Sequence, residues 1–350
     1  MTQALLGDLT GTEPSSERGT LVLTREDVVH LLPMPTCIDA VARGFERHAR
    51  GDSIAPGILG THVDGGGFHV KTAGLGDAVD GRPVFAAKVN ANFPANPDQR
   101  GLPTIQGVIA LFDGADGRVL AVLDSIEITS LRTAAATAVA ARHLAPQGGV
   151  VTVCGCGEQS RYQLRALACV RSVRRVMAFD LQAARAARFA ADMAAELGVE
   201  TAVIREPREA AAATDIWITC TTARRWFLGR AHVKAGAFVA AVGADNPDKQ
   251  ELEPELLARN VVVADVLEQC IAIGDVHHAI AAGLMLREQV RAELADIVSG
   301  RKSGRRSPEE IVIFDSTGTA IEDVAAAAVV YQRAVATGAG VTVRLGEAHG

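Results

Sequence analysis

The chain has 350 residues, 48% of them hydrophobic and only 4% aromatic, with a formal net charge of −6. That length suits two domains of about 100–200 residues each, the negative charge argues against nucleic acid as the main partner, and scarce aromatics leave no platform for stacking bases. No apolar run approaches the ~18 residues of a membrane span, and residues 1–20 lack a charged-then-apolar signal pattern, so a cytoplasmic protein with a loose, flexible polar tail over 1–20 is expected.

Helical patterning runs over residues 24–50. Thr24 with Asp27 three residues on forms a loose capping box, and a second helix is expected after Pro35, with Val41, Phe45 and His48 at helical spacing. From Gly67 onward the text changes to short strands cut by glycine and proline, over 68–71, 84–89, 106–112 and 119–123. The loop 113–117 joins the last two as a hairpin, so an antiparallel sheet is predicted. Lys71 and Lys88 are cations of this sheet. On its strand alone Lys88 reads as a surface lysine snorkelling at an edge; the alternative is a charge aimed into a polar site. An Ala-rich helix is expected over 130–144. Arg132 near its start opposes the helix dipole, so an anion should hold it there, either a bound carboxylate or Glu127.

The break Pro146-Gln147-Gly148-Gly149 opens the second domain. A β-branched strand, 150–154, feeds into Gly155-Cys156-Gly157-Glu158-Gln159-Ser160, a helical segment follows, and the next strand, 175–179, ends in Asp180. This is the first βαβ unit of a dinucleotide-binding fold. Gly155 permits the tight turn and Gly157 lets backbone approach a pyrophosphate. The helix start at Glu158, Gln159 and Ser160 offers free N–H groups. Asp180 sits where an acid bonds the ribose 2′-hydroxyl and repels a 2′-phosphate, so NAD(H) rather than NADP(H) is the expected cofactor. Alternation then continues: helix 182–197, strand 200–203, helix 207–213, strands 216–220, 237–241, 261–266 and 311–314, and a long Ala/Val-rich helix over 321–336. Such alternation implies a doubly wound parallel sheet, and the last helix should pack back on the first domain.

Ligands of such sheets gather at the carboxyl ends of strands. There stand Thr221, Val242 and Asp245, the last placed for acid/base work or else part of an Asn-Pro turn. Ser316 could line the cofactor or cap the final helix. The pair His277-His278 lacks a third ligand at suitable spacing, so no metal is expected. The basic stretch 301–306 reads as a solvated loop. The six cysteines, Cys37, Cys154, Cys156, Cys169, Cys220 and Cys270, read as reduced, buried thiols.

Taken together these residues resemble the ornithine cyclodeaminase/μ-crystallin family over nearly the whole chain. Lys88-Val89-Asn90-Ala91-Asn92-Phe93-Pro94, Leu102-Pro103-Thr104-Ile105-Gln106-Gly107 and Leu131-Arg132-Thr133-Ala134-Ala135 match its signatures in order. Val242-Gly243-Ala244-Asp245 with Lys249-Gln250-Glu251-Leu252, then Asp315-Ser316-Thr317-Gly318-Thr319-Ala320 with Glu322-Asp323, complete the set. The resemblance implies a Rossmann domain over 146–318 inserted in a discontinuous α+β substrate and dimerisation domain, 21–145 plus 319–350, and a homodimer. It implies that Lys88 and Arg132 bind a substrate carboxylate and that Asp245, with Lys88, serves catalysis. Gly155, Gly157, Gln159 and Asp180 would hold the dinucleotide, with Thr133 and Thr221 near it. One departure stands out: the family's early Pro-Arg, whose arginine clamps the carboxylate, is Pro56-Gly57 here, and Lys71 is the candidate to supply that charge.

The expected activity is hydride transfer at the α-carbon of a small α-amino or α-imino acid, as an imine reductase or amino-acid dehydrogenase. The alternatives are an ornithine cyclodeaminase-type ammonia lyase using catalytic NAD+ and, from another class, a non-catalytic ligand carrier of the μ-crystallin type.

Overall fold

The computed structural model describes residues 19–345, so the expected tail lies outside the described residues but for its last two positions. Thr20–Leu23 (β1) already forms a strand, followed by Arg25–Leu31 (α1) and Met34–Ala49 (α2). The Thr24/Asp27 capping box is present. Helix α2 starts at Met34, before the expected Pro35, because Pro35 falls in the first turn, where a missing N–H breaks no bond.

Five strands then run Ser53–Val63 (β2), Gly66–Val79 (β3), Arg82–Asn92 (β4), Ile105–Asp113 (β5) and Val119–Asp124 (β6), with the short helix Asn96–Arg100 (α3) between β4 and β5. Pattern reading passes over β2 because Pro56 and two glycines interrupt it. It survives as an edge strand, and the pairing with β3 slips between Ile54 and Gly57, around Pro56. With Val341–Val343 (β17) the strands make a seven-stranded sheet in the order β17-β1-β6-β5-β4-β3-β2. It is antiparallel as expected except where β1 lies parallel to β6.

Helix Ser125–Leu144 (α4) begins five residues before the expected 130, capped by Asp124, whose carboxylate accepts from Ile126 N–H at 2.9 Å. Ile126, Ile128 and Thr129 are weak helix signals that packing overrides. Ala320–Thr337 (α11) lies with α4 and α2 on one face of this sheet. The helices approach closely because their contact residues are small: a Cβ added at Gly44 of α2 would sit 3.0 Å from Ala325 of α11.

The opposite face carries an apolar row. The register pairs Leu59 with Val70, Val70 with Val89 and Val89 with Val108. Leu59, Val89 and Val108 are 64%, 39% and 46% exposed, and Phe68 and Ile105 are exposed on the same strands.

The intervening segment holds Val150–Cys154 (β7), Glu158–Ala168 (α5), Arg175–Phe179 (β8), Ala183–Leu197 (α6), Glu200–Val203 (β9), Ile216–Thr219 (β10), Arg224–Leu228 (β11), Phe238–Ala241 (β12) and Gln250–Leu252 (β13). It continues with Pro254–Ala258 (α7), Val261–Ala264 (β14), Leu267–Ile273 (α8), Asp275–Ala281 (α9), Ala292–Glu293 (β15), Leu294–Val298 (α10) and Val312–Asp315 (β16). Its eight-stranded sheet, β15-β14-β16-β12-β10-β7-β8-β9, is parallel throughout. The expected helix at 207–213 is only a 3₁₀ turn, Pro207–Ala210.

Two surface readings are corrected. Arg305 is not solvated: its guanidinium donates to the carbonyls of Leu144 (2.8 Å), Ala237 (3.1 Å) and Glu310, tying its loop to α4 and β12. All six thiols are unpaired, but Cys169 is exposed and Cys220 only half-buried.

Candidate active site

The expected site residues fall in two clusters. The first lies where the strand order reverses, between β7 and β10, the usual ligand crevice of a doubly wound sheet. A cavity of about 540 Å³ there is lined by Gly155, Gly157, Phe179, Asp180, Thr221 and Arg225 among others. Gly155 has φ +88°, and a Cβ on it would meet the Cys220 carbonyl at 2.5 Å, so only glycine lets β7 turn this tightly against β10. Gly157 precedes α5, no side chain caps that helix, and the space at its Cβ position is open. The uncapped N–H groups make an anion site. Asp180 braces the glycine loop, accepting from Cys156 N–H (2.9 Å) and Gln182 N–H (2.8 Å). A phosphate-accepting helix start, a glycine crevice and an acid at the next strand's end fit a dinucleotide.

Of the other residues assigned to the dinucleotide, Thr221 lines this crevice and the rest lie around it. The Ser160 hydroxyl is buried and donates to the Gly157 carbonyl (2.6 Å), so the residue offers the crevice its backbone N–H, not its side chain. Gln159 donates across to the Ser130 carbonyl of α4 (3.1 Å), bridging the two sheets' layers, and Glu158 is exposed. The Thr133 hydroxyl bonds back to the Thr129 carbonyl (2.8 Å). Val242 is buried, and Ser316 is buried against Asp265 at 3.4 Å. The Thr221 hydroxyl and N–H both donate to Glu251, at 2.7 and 2.6 Å. Glu251 also accepts from Thr219 Oγ1 (2.6 Å) and Gly243 N–H (2.8 Å), clamping the loops after β10 and β12 together.

The second cluster is ionic. Lys88 is 3% exposed, not a surface lysine; its Nζ meets the two carboxylate oxygens of Asp323 at 2.7 and 2.8 Å and Thr129 Oγ1 at 3.4 Å. Arg132 is 4% exposed and sits in the third turn of α4, so the dipole at a helix start has no part in holding it. Its partners are Glu322 (Nη1, 2.7 Å) and Asp323 (Nε, 2.9 Å) in the first turn of α11. Glu127, the partner weighed from sequence, is taken by Arg25 and Tyr162 instead. Gly318, at φ +74°, makes room for the guanidinium: a Cβ there would lie 2.4 Å from Arg132 Nη1.

Burial and the neighbouring Arg132 push the Lys88 ammonium down to about 7, even against the pull of Asp323. Burial likewise pushes Glu322 up to about 7 against Arg132. Burial would raise Asp323 too, but Arg132 and Lys88 together hold it below the ordinary carboxylate value. Lys71, cross-strand from Lys88 in the register, donates to the carbonyls of Gly318 (2.7 Å) and Thr317 (3.3 Å). Asp245, in the loop after β12, is 53% exposed and tethered to Lys249 at 2.6 Å. Its charge acts on Lys71 and on His69 of β3.

Sequence reasoning quoted Glu251, Glu322 and Asp323 within motifs but gave them no role. The signal was there: adjacent acids inside an Ala/Val-rich helix must be paired or pay for burial.

The model of the ornithine cyclodeaminase/mu-crystallin family matches residues 18–338. Among solved structures, an archaeal alanine dehydrogenase dimer with bound NAD is similar at a TM-score of 0.87 and 35% identity, over 93% of this chain and 99% of that one. The Δ1-pyrroline-2-carboxylate reductase of Thermococcus litoralis, in complex with NADH and L-proline, gives 0.87 and 32%, over 93% and 100%. The iminosuccinate reductase of Paracoccus denitrificans, in complex with NAD+, gives 0.86 and 32%, over 94% and 100%.

Proposed function

The chain belongs to the ornithine cyclodeaminase/mu-crystallin family, and on that premise we propose that it is an NAD(H)-dependent oxidoreductase acting on the C–N or C=N bond of a small α-amino or α-imino acid. The observation that carries this reading is the set of groups brought together, an uncapped helix start at the glycine crevice, a buried ionic cluster built on Lys88 and Arg132, and the exposed Asp245 carboxylate, whose charge acts on Lys71. Relatives of this fold are an alanine dehydrogenase and two imine reductases, which fits.

Bound in the crevice, NAD(H) would accept or supply the hydride. Gly155, Gly157 and the N–H groups of Glu158, Gln159 and Ser160 would hold its pyrophosphate and Asp180 its ribose. Arg132 is fixed through Nη1 and Nε, while its Nη2 makes no hydrogen bond to a described residue, so that edge is free for a substrate carboxylate. Lys88, saturated by Asp323 and Thr129, adds charge beside it, and near neutral pH it can also trade a proton. Asp245, exposed and paired with Lys249, would pass a proton to or from the substrate nitrogen.

The assembly we propose is a homodimer through the apolar row Leu59, Val89 and Val108, since an exposed apolar patch on a sheet face marks an interface. Six unpaired thiols fit a reducing cytoplasm.

The test follows NADH loss with a panel of α-keto acids plus ammonia or methylamine, and with cyclic imines. Loss with at least one imine supports the reading. Ammonia released from L-ornithine far in excess of a trace of NAD+, without NADH build-up, contradicts it in favour of cyclodeamination.

A further inference from the structure

Strand β3 puts alternate side chains on one face, and His69 and Lys71 share the face that carries Lys88. Lys88 and Arg132 are each paired with an acid, Lys88 with Asp323 and Arg132 with Glu322 and Asp323. Lys71 touches neither acid. Its ammonium reaches only the Thr317 and Gly318 carbonyls, and no described carboxylate lies within ion-pair distance of it. The charges that act on it from farther away are Arg132, Asp323, Asp245 and Asp265. Of these, Asp245 is tethered to Lys249 and Asp265 accepts from the N–H groups of Val266, Thr317 and Gly318. His69, beside Lys71, has no hydrogen-bond partner among the described residues, and burial and the adjacent ammonium hold its ring below the ordinary histidine value.

The α-centre of an amino acid carries one carboxylate and one cationic nitrogen, and that of an iminium acid carries the same. Neither brings net charge to the site. A monocarboxylic substrate therefore leaves the partly buried Lys71 ammonium without a counter-ion, which is costly away from bulk water.

We propose that Lys71, with the His69 ring beside it, forms a second anion subsite, and that the substrate is an α-amino or α-imino dicarboxylic acid whose distal carboxylate sits on Lys71. This rests on the oxidoreductase reading above and names its substrate class. Lys71 is then a specificity residue, not a stand-in for the missing arginine at the α-carboxylate. In the reductive direction the C=N bond takes up a hydride at carbon and a proton at nitrogen, and NADH is oxidised to NAD+.

The experiment compares kcat/KM for oxaloacetate and 2-oxoglutarate, each with ammonia, against pyruvate with ammonia and Δ1-pyrroline-2-carboxylate. The dicarboxylic substrates should lead in the wild type. Lys71→Met should lower that preference by roughly 30-fold or more through KM, as truncating one partner of a buried charge pair does. Preference for a monocarboxylic imine, or an equal loss on both classes in K71M, overturns the proposal. A binding arm separates this from failure of the oxidoreductase reading. With NADH present, L-aspartate should raise Tm more than L-alanine in the wild type, and the difference should vanish in K71M. Equal shifts in the wild type overturn the subsite even if no imine turns over, whereas the expected shifts without turnover count against the oxidoreductase reading alone.

Discussion

Lys88 is the buried charge on which the pH dependence of the proposed site turns. Its ammonium is held down to about 7 by burial and by Arg132. A cation with a lowered value is charged below that pH and neutral above it, so binding of an anionic substrate weakens as pH rises through about 7. We expect kcat/KM to fall over that range, and Lys88→Arg, which cannot deprotonate there, to lose that limb while retaining a lower, flatter rate. A pH–rate profile of both forms checks this. Asp245→Asn should cut turnover by about 100-fold or more, the scale of general acid–base catalysis, while NADH fluorescence shows unchanged binding. Equal loss of both would assign Asp245 to the cofactor instead. The glycine loop, Asp180 and Asp245 were legible as candidates because each stands at a fixed offset from a strand end. The environment of Lys88 was not, since its partner Asp323 is 235 residues away and only the fold brings it near.

Helices α4 and α11 are where the ionic cluster is assembled, one supplying Arg132 and the other Glu322 and Asp323. Removing Asp323 would leave the buried Lys88 without a carboxylate partner and Arg132 with Glu322 alone, so Asp323→Ala should cost about 3–5 kcal/mol, read by urea unfolding. Glu322→Gln should cost much less, because burial already holds that carboxyl near half-protonation at neutral pH. A similar cost for both would mean that Glu322 is fully ionised. Element boundaries were legible where strong local chemistry marks them, as at Thr24 and Asp27. They failed at β2, where Pro56 hides an edge strand, and at the start of α4, where β-branched residues hide a helix.

At the scale of the whole molecule, the first sheet draws on both ends of the chain, since β1 lies between β6 and β17. Its inner face carries Lys71 and Lys88, and its outer face carries the exposed row. The short strands that predicted an antiparallel sheet say nothing about which face is solvated, so that row was invisible until register was known. A charge there should split the assembly: Val108→Asp is expected to elute as a monomer by light scattering with an unchanged circular dichroism spectrum. A wild-type monomer would contradict the interface.

The central claim, hydride delivery to the substrate α-carbon, is tested most directly by isotope transfer. The purified protein would be run with NADH carrying deuterium at both C4 positions and the best imine of the panel, and the amino-acid product analysed by mass spectrometry. One deuterium at the α-carbon for each NADH consumed is the expected result. Product without deuterium at that carbon, or no NADH consumption with any imine, would contradict the account.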